Sequence, residues 1–290
     1  MAGDKDVTIY DIARKLKISA ATVSRGLKDH PAISKKTKKK IFALADEIGY
    51  RSNHFASNLR TQKTNTIGVI VPRLNSNFMS SIIAGIEQVA NEHGYTLIIS
   101  QSSESEAKEK LSAKTMFNSR IDGLLASLAY DTNDLNHFNN FFKKNTPVIF
   151  FDRVMEHDNC TNILIDNREA AYAVTKHLIE QGCKRIVHIT ATPRQNVYVD
   201  RLKGYKQALA EAKIKFKDAD LIINNLSQDA GAEAAIEILK MKPRPDGVFV
   251  SNDSCAIGCM LAMKQAGIRI PHDIAFAGFN NDPVSKVIEP

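Results

Sequence analysis

The 290-residue sequence predicts a small all-α helix-turn-helix module followed by a larger α/β body built from two doubly wound parallel sheets. Three observations carry this. Apolar residues in the first 50 positions recur with helical spacing. From Thr66 onward, apolar runs of four to seven β-formers alternate with helical stretches of about a dozen residues. Charge is also split unevenly: residues 1 to 64 hold 14 Lys/Arg against 6 Asp/Glu, while residues 65 to 290 hold 25 against 26. The basic excess therefore sits in the first fifth of the chain, as it would if a polyanion-binding module were attached to a neutral body.

In the basic segment, Ile9, Ile12, Ala13 and Leu16 form one face of a helix, and Thr8 with Asp11 gives a T-x-x-D start signal. Ser19 opens a second helix, AATVSRGLKD, with Val23 and Leu27 inward and Ala20, Ala21, Thr22, Ser24 and Arg25 near its exposed N-terminal end. A third helix follows Pro31, capped by Ser34, with Ile41, Leu44, Ala45 and Ile48 inward and a stop at Gly49. Two short helices across a tight turn make a helix-turn-helix. Arg25 can donate two hydrogen bonds to a guanine edge in the major groove, and Ala20 and Ala21 offer methyl contacts. Thr8, Tyr10, Ser19, Thr22, Ser24 and Ser34 suit phosphate oxygens at helix N-termini, contacts that position without specifying.

In the body, IGVIVP is the first strand, followed by a helix from Phe78 to His93, the strand TLIIS, a helix from Ser105 to Asn118, the run from Asp122 to Leu128, a helix from Leu135 to Lys143, and PVIFFD. A second series begins with a helix from Asn167 to Gln181. It continues through RIVHIT, a helix over 200 to 213, LIINN, a helix over 230 to 240, GVFVSN, a helix over 254 to 266, and IAFAGF. Two such sheets leave a cleft, and ligands of open parallel sheets lie at the carboxyl ends of the strands. Polar residues gather at those ends: Asp152 and Arg153, Asn252 and Asp253, and Asn280 to Asp282, with Phe78 and Met79 after the first strand. Carboxylates, amides and a guanidinium beside an aromatic ring suit a polyhydroxylated ligand, although Asp166, Asn167 and Asp253 read first as helix caps.

Several classes are excluded by what the sequence lacks. It has no G-x-x-x-x-G-K-[ST] loop, G-x-S-x-G elbow or H-E-x-x-H helix, and VPRLNSNF stands where a dinucleotide-binding chain has its glycines, so no catalytic residue and no cofactor is expected. His177 and His188 fall in a helix and a strand, as surface or core residues. Cys255 and Cys259 are four apart with no partner pair, so buried free thiols are expected in place of a metal site. The opening Met-Ala-Gly-Asp-Lys-Asp has no apolar stretch and no run reaches the roughly 18 to 20 residues of a membrane span, so a cytoplasmic protein is expected.

The segments VTIYDIA (7 to 13), SAATVSR (19 to 25) and EIGYRSNHFASNL (47 to 59) resemble the lactose-repressor/galactose-repressor (LacI/GalR) family of bacterial transcription regulators. That resemblance implies a helix-turn-helix domain over 1 to 51, a hinge over 52 to 64, and an effector domain with subdomains over 65 to 165 and 166 to 290. It also implies double-stranded operator DNA, a small-molecule effector (a sugar or sugar phosphate or, failing that, a purine) and a second copy of the chain as partners. In the family the hinge becomes helical on DNA and wedges a leucine pair into the minor groove. Leu59 falls on that leucine, Ala56 on the family's alanine and Asn53 on its asparagine; Ser52 and Ser57 depart from the usual proline and arginine. Asp152, Arg153 and Arg201 match ligand positions, as do Asn252 and Asn280, with Phe78 as the stacking ring and Met79 beside it. Family members run on for a few dozen residues, so a C-terminally incomplete chain is expected. A transport-type sugar-binding protein is the rival reading of the body alone, opposed by the basic segment; an α/β kinase or dehydrogenase is opposed by the missing phosphate loops.

Overall fold

The computed structural model describes residues 7 to 50 and 63 to 289, in two compact units that divide between Thr64 and Asn65. The first unit holds helices α1 (Ile9–Leu16), α2 (Ala20–Leu27) and α3 (Lys35–Glu47). Asp11 accepts the Thr8 N–H at 2.9 Å and the Thr8 hydroxyl at 2.7 Å, which starts α1. Lys17 takes a left-handed φ of 54° and the Ile18 N–H returns to the Ala13 carbonyl, which ends it. Ser19 Oγ then accepts the Thr22 N–H at 3.1 Å, so only three residues separate the first two helices. Ser34 caps α3 in the same way at 3.2 Å.

Ile12, Val23 and Ile41 are wholly buried, one from each helix, with Ala13 and Ala45 beside them. At roughly 2 kcal/mol per buried aliphatic side chain, this core is thin, and close packing matters accordingly. Gly26 is where α2 meets α3, because a Cβ there would strike the Ile41 side chain.

The second unit holds two all-parallel sheets. The first lobe runs β1 (Thr66–Val71), α4 (Asn77–Glu92), β2 (Thr96–Gln101), α5 (Glu106–Asn118), β3 (Gly123–Ala126), a 3₁₀ turn with the short α6 (Asn139–Lys143), β4 (Val148–Phe151) and β5 (Thr161–Ile163). Its strand order is β2-β1-β3-β4-β5. The second lobe runs α7 (Asn167–Glu180), β6 (Ile186–Thr190), α8 (Asn196–Glu211), β7 (Leu221–Ile223), α9 (Gln228–Lys240), β8 (Gly247–Val250), α10 (Asp253–Gln265) and β9 (Ala275–Ala277), with order β7-β6-β8-β9.

Strand alternation sorts the core onto both faces of each sheet. Ile70, Leu124, Ala126, Val148 and Phe150 face α5 and the turn before α6, whereas Val69, Val71 and Phe151 pack with Met79 of α4. In the second lobe, Val187, Ile189, Val248 and Val250 meet the α9 and α10 side, and Ile186 and Phe249 meet Ala171, Leu178, Tyr205 and Leu209 of α7 and α8. Helices α9 and α10 touch so closely that a Cβ on Gly258 would overlap the Gln228 backbone.

Three features depart from the sequence reading. Strand β5 was not expected: its three residues, two of them exposed, carry no periodicity and pair only because β4 leaves a free edge. The helix expected over Leu135 to Lys143 is a 3₁₀ turn followed by five residues of α6. Helix α8 begins at Asn196, four residues before the expected start, because Gln195 supplies an extended N-cap.

Candidate functional site

In each sheet the strand order reverses at the first strand of the lobe: β1 lies between β2 and β3, and β6 between β7 and β8. Loops leaving the carboxyl ends on either side of a reversal diverge and open a crevice. The two crevices of the second unit share a cavity of about 270 Å³. All seven expected cleft residues line it: Phe78, Met79, Asp152, Arg153, Arg201, Asn252 and Asn280.

They do so in different ways. Phe78 and Met79 are in the first turn of α4, Phe78 half-buried and Met79 mostly committed to the core. Asp152 ends β4 with a φ of 59°, an uncommon conformation for a residue with a side chain. Burial raises its carboxyl pKa above the usual range, against the opposing pull of the Arg153 and Arg201 cations. The Arg153 guanidinium is buried, clasps Glu104 at 2.6 and 3.3 Å, and lies 4.1 Å from the centre of the Tyr130 ring. Glu104 is shared, since Arg73 Nε reaches it at 3.2 Å. Arg201 donates to Asn167 Oδ1 at 2.9 Å and to the Ser251 carbonyl at 2.7 Å, and its guanidinium is 3.6 Å from the Phe279 ring centre. Asn252 is the N-cap of α10: it accepts the Cys255 N–H at 2.8 Å and donates to the Leu226 carbonyl at 3.0 Å, so its amide is held by the protein. Asn280 takes a φ of 104° at the rim.

The two lobes are tied across the cavity. Asn196 accepts the Val154 N–H and donates to the Asp152 carbonyl, both at 3.0 Å. Gln195 donates to the carbonyls of Ala129 and Tyr130, and the hydroxyls of Tyr130 and Tyr198 are 3.0 Å apart.

Sequence reading missed Glu104, Tyr130, Tyr198 and Asn225 as lining residues. Tyr130 and Asn225 follow β3 and β7, where the strand-end rule could have found them; Tyr198 was hidden by the late start assigned to α8, and Glu104 carried no signal. The alternatives left open for three caps divide. Asp166 is a cap, accepting the Glu169 N–H at 2.8 Å, whereas Asn167 holds Arg201 and Asp253 accepts the Asp282 N–H at 2.7 Å. Cys255 and Cys259 are buried thiols that burial pushes up to about 12.

In the first unit, Tyr10, Ala21, Ser19, Ser34 and Arg25 are exposed, with Ala20, Thr22 and Ser24 half-buried and Thr8 exposed at the start of α1. Arg25 lies in the last turn of α2 and not near its N-terminus, because the helix stops at Leu27; its Nε folds back to the Ala21 carbonyl at 3.4 Å. The Ser19 and Thr22 hydroxyls bond each other at 2.8 Å. Asn53, Ala56 and Leu59 lie outside the described residues.

A helix-turn-helix module followed by a two-lobed α/β body with a polar interlobe cavity defines a ligand-responsive DNA-reading regulator. Residues 8 to 53 match the bacterial regulatory proteins of the lacI family, and residues 64 to 284 match the family of periplasmic binding proteins and sugar binding domains of the LacI family. The chain belongs to the LacI family of transcriptional regulators and is not an enzyme. It is 30% identical over 286 residues to catabolite control protein A of Priestia megaterium, covering 98% of this chain and 86% of that one. It is 31% identical over 283 residues to the HTH-type transcriptional repressor PurR of Vibrio atlanticus, covering 98% and 84%. Its fold matches that of the lac repressor dimer bound to operator and the anti-inducer ONPF, with a TM-score of 0.84, 24% identity and coverage of 97% and 84%. Among the described residues no helix is long and apolar enough to cross a membrane.

Proposed function

We propose that this protein is a cytoplasmic repressor that binds a near-palindromic operator as a dimer and is controlled by an uncharged sugar in the interlobe cavity. The observation that carries the ligand class is the charge balance of the cleft. Glu104 takes up both Arg153 and Arg73, and Asp152 lies within reach of the fields of Arg153 and Arg201. Asp282 also lines the cavity, so three carboxylates stand against Arg73, Arg153 and Arg201; a phosphorylated or anionic ligand would meet no formal excess of cations, whereas hydroxyls can use the guanidinium, carboxyl and amide groups. In this reading Asp152, Arg153, Arg201, Asn252 and Asn280 hold the ligand's polar edge, and Phe78 covers an apolar face.

Dimerisation follows from the half-site geometry of helix-turn-helix readers. Arg25, Ala20 and Ala21 read base edges; Thr8, Tyr10, Ser19, Thr22, Ser24 and Ser34 hold phosphates; Leu59 is the minor-groove wedge, and Asn53 and Ala56 are further DNA-binding positions of the same segment. Ligand binding changes the angle between the lobes and thereby the state of the 52 to 64 segment. Effector and operator must then alter each other's affinity by the same factor.

A thermal-shift screen of neutral sugars, sugar phosphates and purines tests this, followed by operator anisotropy with each hit. A ligand at 100 times its dissociation constant adds about 2.7 kcal/mol of stability. A neutral sugar that raises the melting temperature and changes DNA affinity is the expected result. A response confined to purines or to sugar phosphates overturns the assignment.

A further inference from the structure

Away from the cleft residues that hold ligand in the proposed reading, the start of α5 and the turn after β3 enclose a second polar cluster. Glu109 is wholly buried, accepts the Ala129 N–H at 2.7 Å and the Thr132 hydroxyl at 3.0 Å, and lies 2.8 Å from His137 Nε2. The His137 side chain is only 6% exposed, and its other ring nitrogen, Nδ1, is buried with no hydrogen-bond partner. One ligand atom each from His137, Glu106 and Asp134 lie within 4.8 Å of one another. Since Glu109 occupies Nε2, Nδ1 is the nitrogen left for that set. A carboxylate on one imidazole nitrogen, with the other turned to further carboxylates, is how proteins orient a metal-binding histidine.

We propose that His137, Glu106 and Asp134 form a binding site for a first-row divalent transition metal, with Zn²⁺ as the reference ion. An imidazole and two carboxylates match the nitrogen and oxygen donors of such ions, and three protein ligands leave a position for water. Ca²⁺ and Mg²⁺ favour all-oxygen shells and fit less well. The two carboxylates balance the charge of a dication. Asp134 is already oriented, its Oδ1 accepting the Asn136 N–H at 2.8 Å. The cation beside them in the metal-free chain is Lys110, whose ammonium lies 2.8 Å from Glu106 and whose side chain is 49% exposed. It can swing into solvent, so lysine and metal compete for the same carboxylate. Glu109 also holds the Ala129 N–H, and so ties the site to the turn that delivers Tyr130 into the cleft.

The test is calorimetric titration of the full chain with ZnCl₂ after chelator treatment, alongside melting curves with and without the ion. In the Glu106→Gln/Asp134→Asn double variant, affinity falls by more than about 100-fold, beyond the loss typical of a supporting residue alone. In Lys110→Met affinity rises, because the competing cation is gone. The site is refuted if the wild type takes up no Zn²⁺ or if the double variant binds it as tightly as wild type. Should the double variant melt early even without metal, Lys110→Met decides: tighter binding supports the site and unchanged binding overturns it.

Discussion

His188 offers a sharp test of how the second lobe is held together. Its ring is fully buried on β6, stacked 4.4 Å from Phe249 and tilted against Tyr205 at 5.0 Å. Nδ1 bonds the Phe249 carbonyl at 3.2 Å, and Nε2 has no partner. Burial lowers its pKa to about 3, far outweighing the Phe249 bond, with the Arg201 charge adding to the fall. In the unfolded chain the ring titrates near 6.5. Above that pH both states carry a neutral ring and the lobe has its full stability. As pH falls, the unfolded state takes up the proton first, and stability drains away until the folded ring protonates near pH 3. Between pH 7 and pH 5 the folded ring stays neutral, so one proton's linkage costs about 2 kcal/mol. Phenylalanine keeps the stacked shape and removes both the proton and the unpartnered nitrogen. Urea unfolding of wild type and His188→Phe at pH 7 and pH 5 should therefore show the wild type losing about 2 kcal/mol more than the variant. Equal losses would mean that His188 is not the group being protonated, and the burial argument would fail.

Other substitutions probe the remaining parts. Arg201→Ala removes two charge-assisted hydrogen bonds and the Phe279 stack at the cavity wall. It should abolish the effector response in operator anisotropy while leaving effector-free DNA binding in place, and an unchanged dose response would contradict that. Arg25→Ala should cost about 1 to 3 kcal/mol against a preferred operator and little against random DNA, as a titration of both duplexes would show. Gly258→Val drives a side chain into the Gln228 backbone, so denaturant unfolding should register a loss of about 1 to 3 kcal/mol. Leu59→Ala should weaken operator binding without changing effector affinity, and equal operator affinity for both proteins would rule the wedge out.

Much of the fold could be read without coordinates because its signals are local. Ser19 and Ser34 announce helix starts through their own hydroxyls, and the runs IGVIVP and GVFVSN are apolar because both sheet faces are covered. The strand-end rule likewise leads to Asp152, Arg153, Asn252 and Asn280, since a parallel sheet puts every carboxyl end on one side. Other features depend on neighbours distant in the chain. The strand β5 exists only beside β4, and the sharing of Glu104 by Arg153 and Arg73 joins residues 49 and 31 positions away. The charge balance behind the proposed neutral ligand is therefore invisible in composition.

The histidines divide along the same line. Sequence spacing directed attention to Cys255, Cys259, His177 and His188 as the groups to weigh for chemistry, and none of the three carboxylates around His137 stood out. Glu106 and Glu109 read as ordinary acidic residues early in a helix, and Asp134 as a turn residue. Only the packing of that helix against the turn after β3 brings Glu109 to one ring nitrogen, leaves the other buried without a partner, and gathers Glu106 and Asp134 beside the ring. Local patterning, whose energies act over three or four residues, determined the modules and the strand ends. Tertiary structure decided which charges meet, because that depends on loops closed across dozens of residues and on burial that no local window reports.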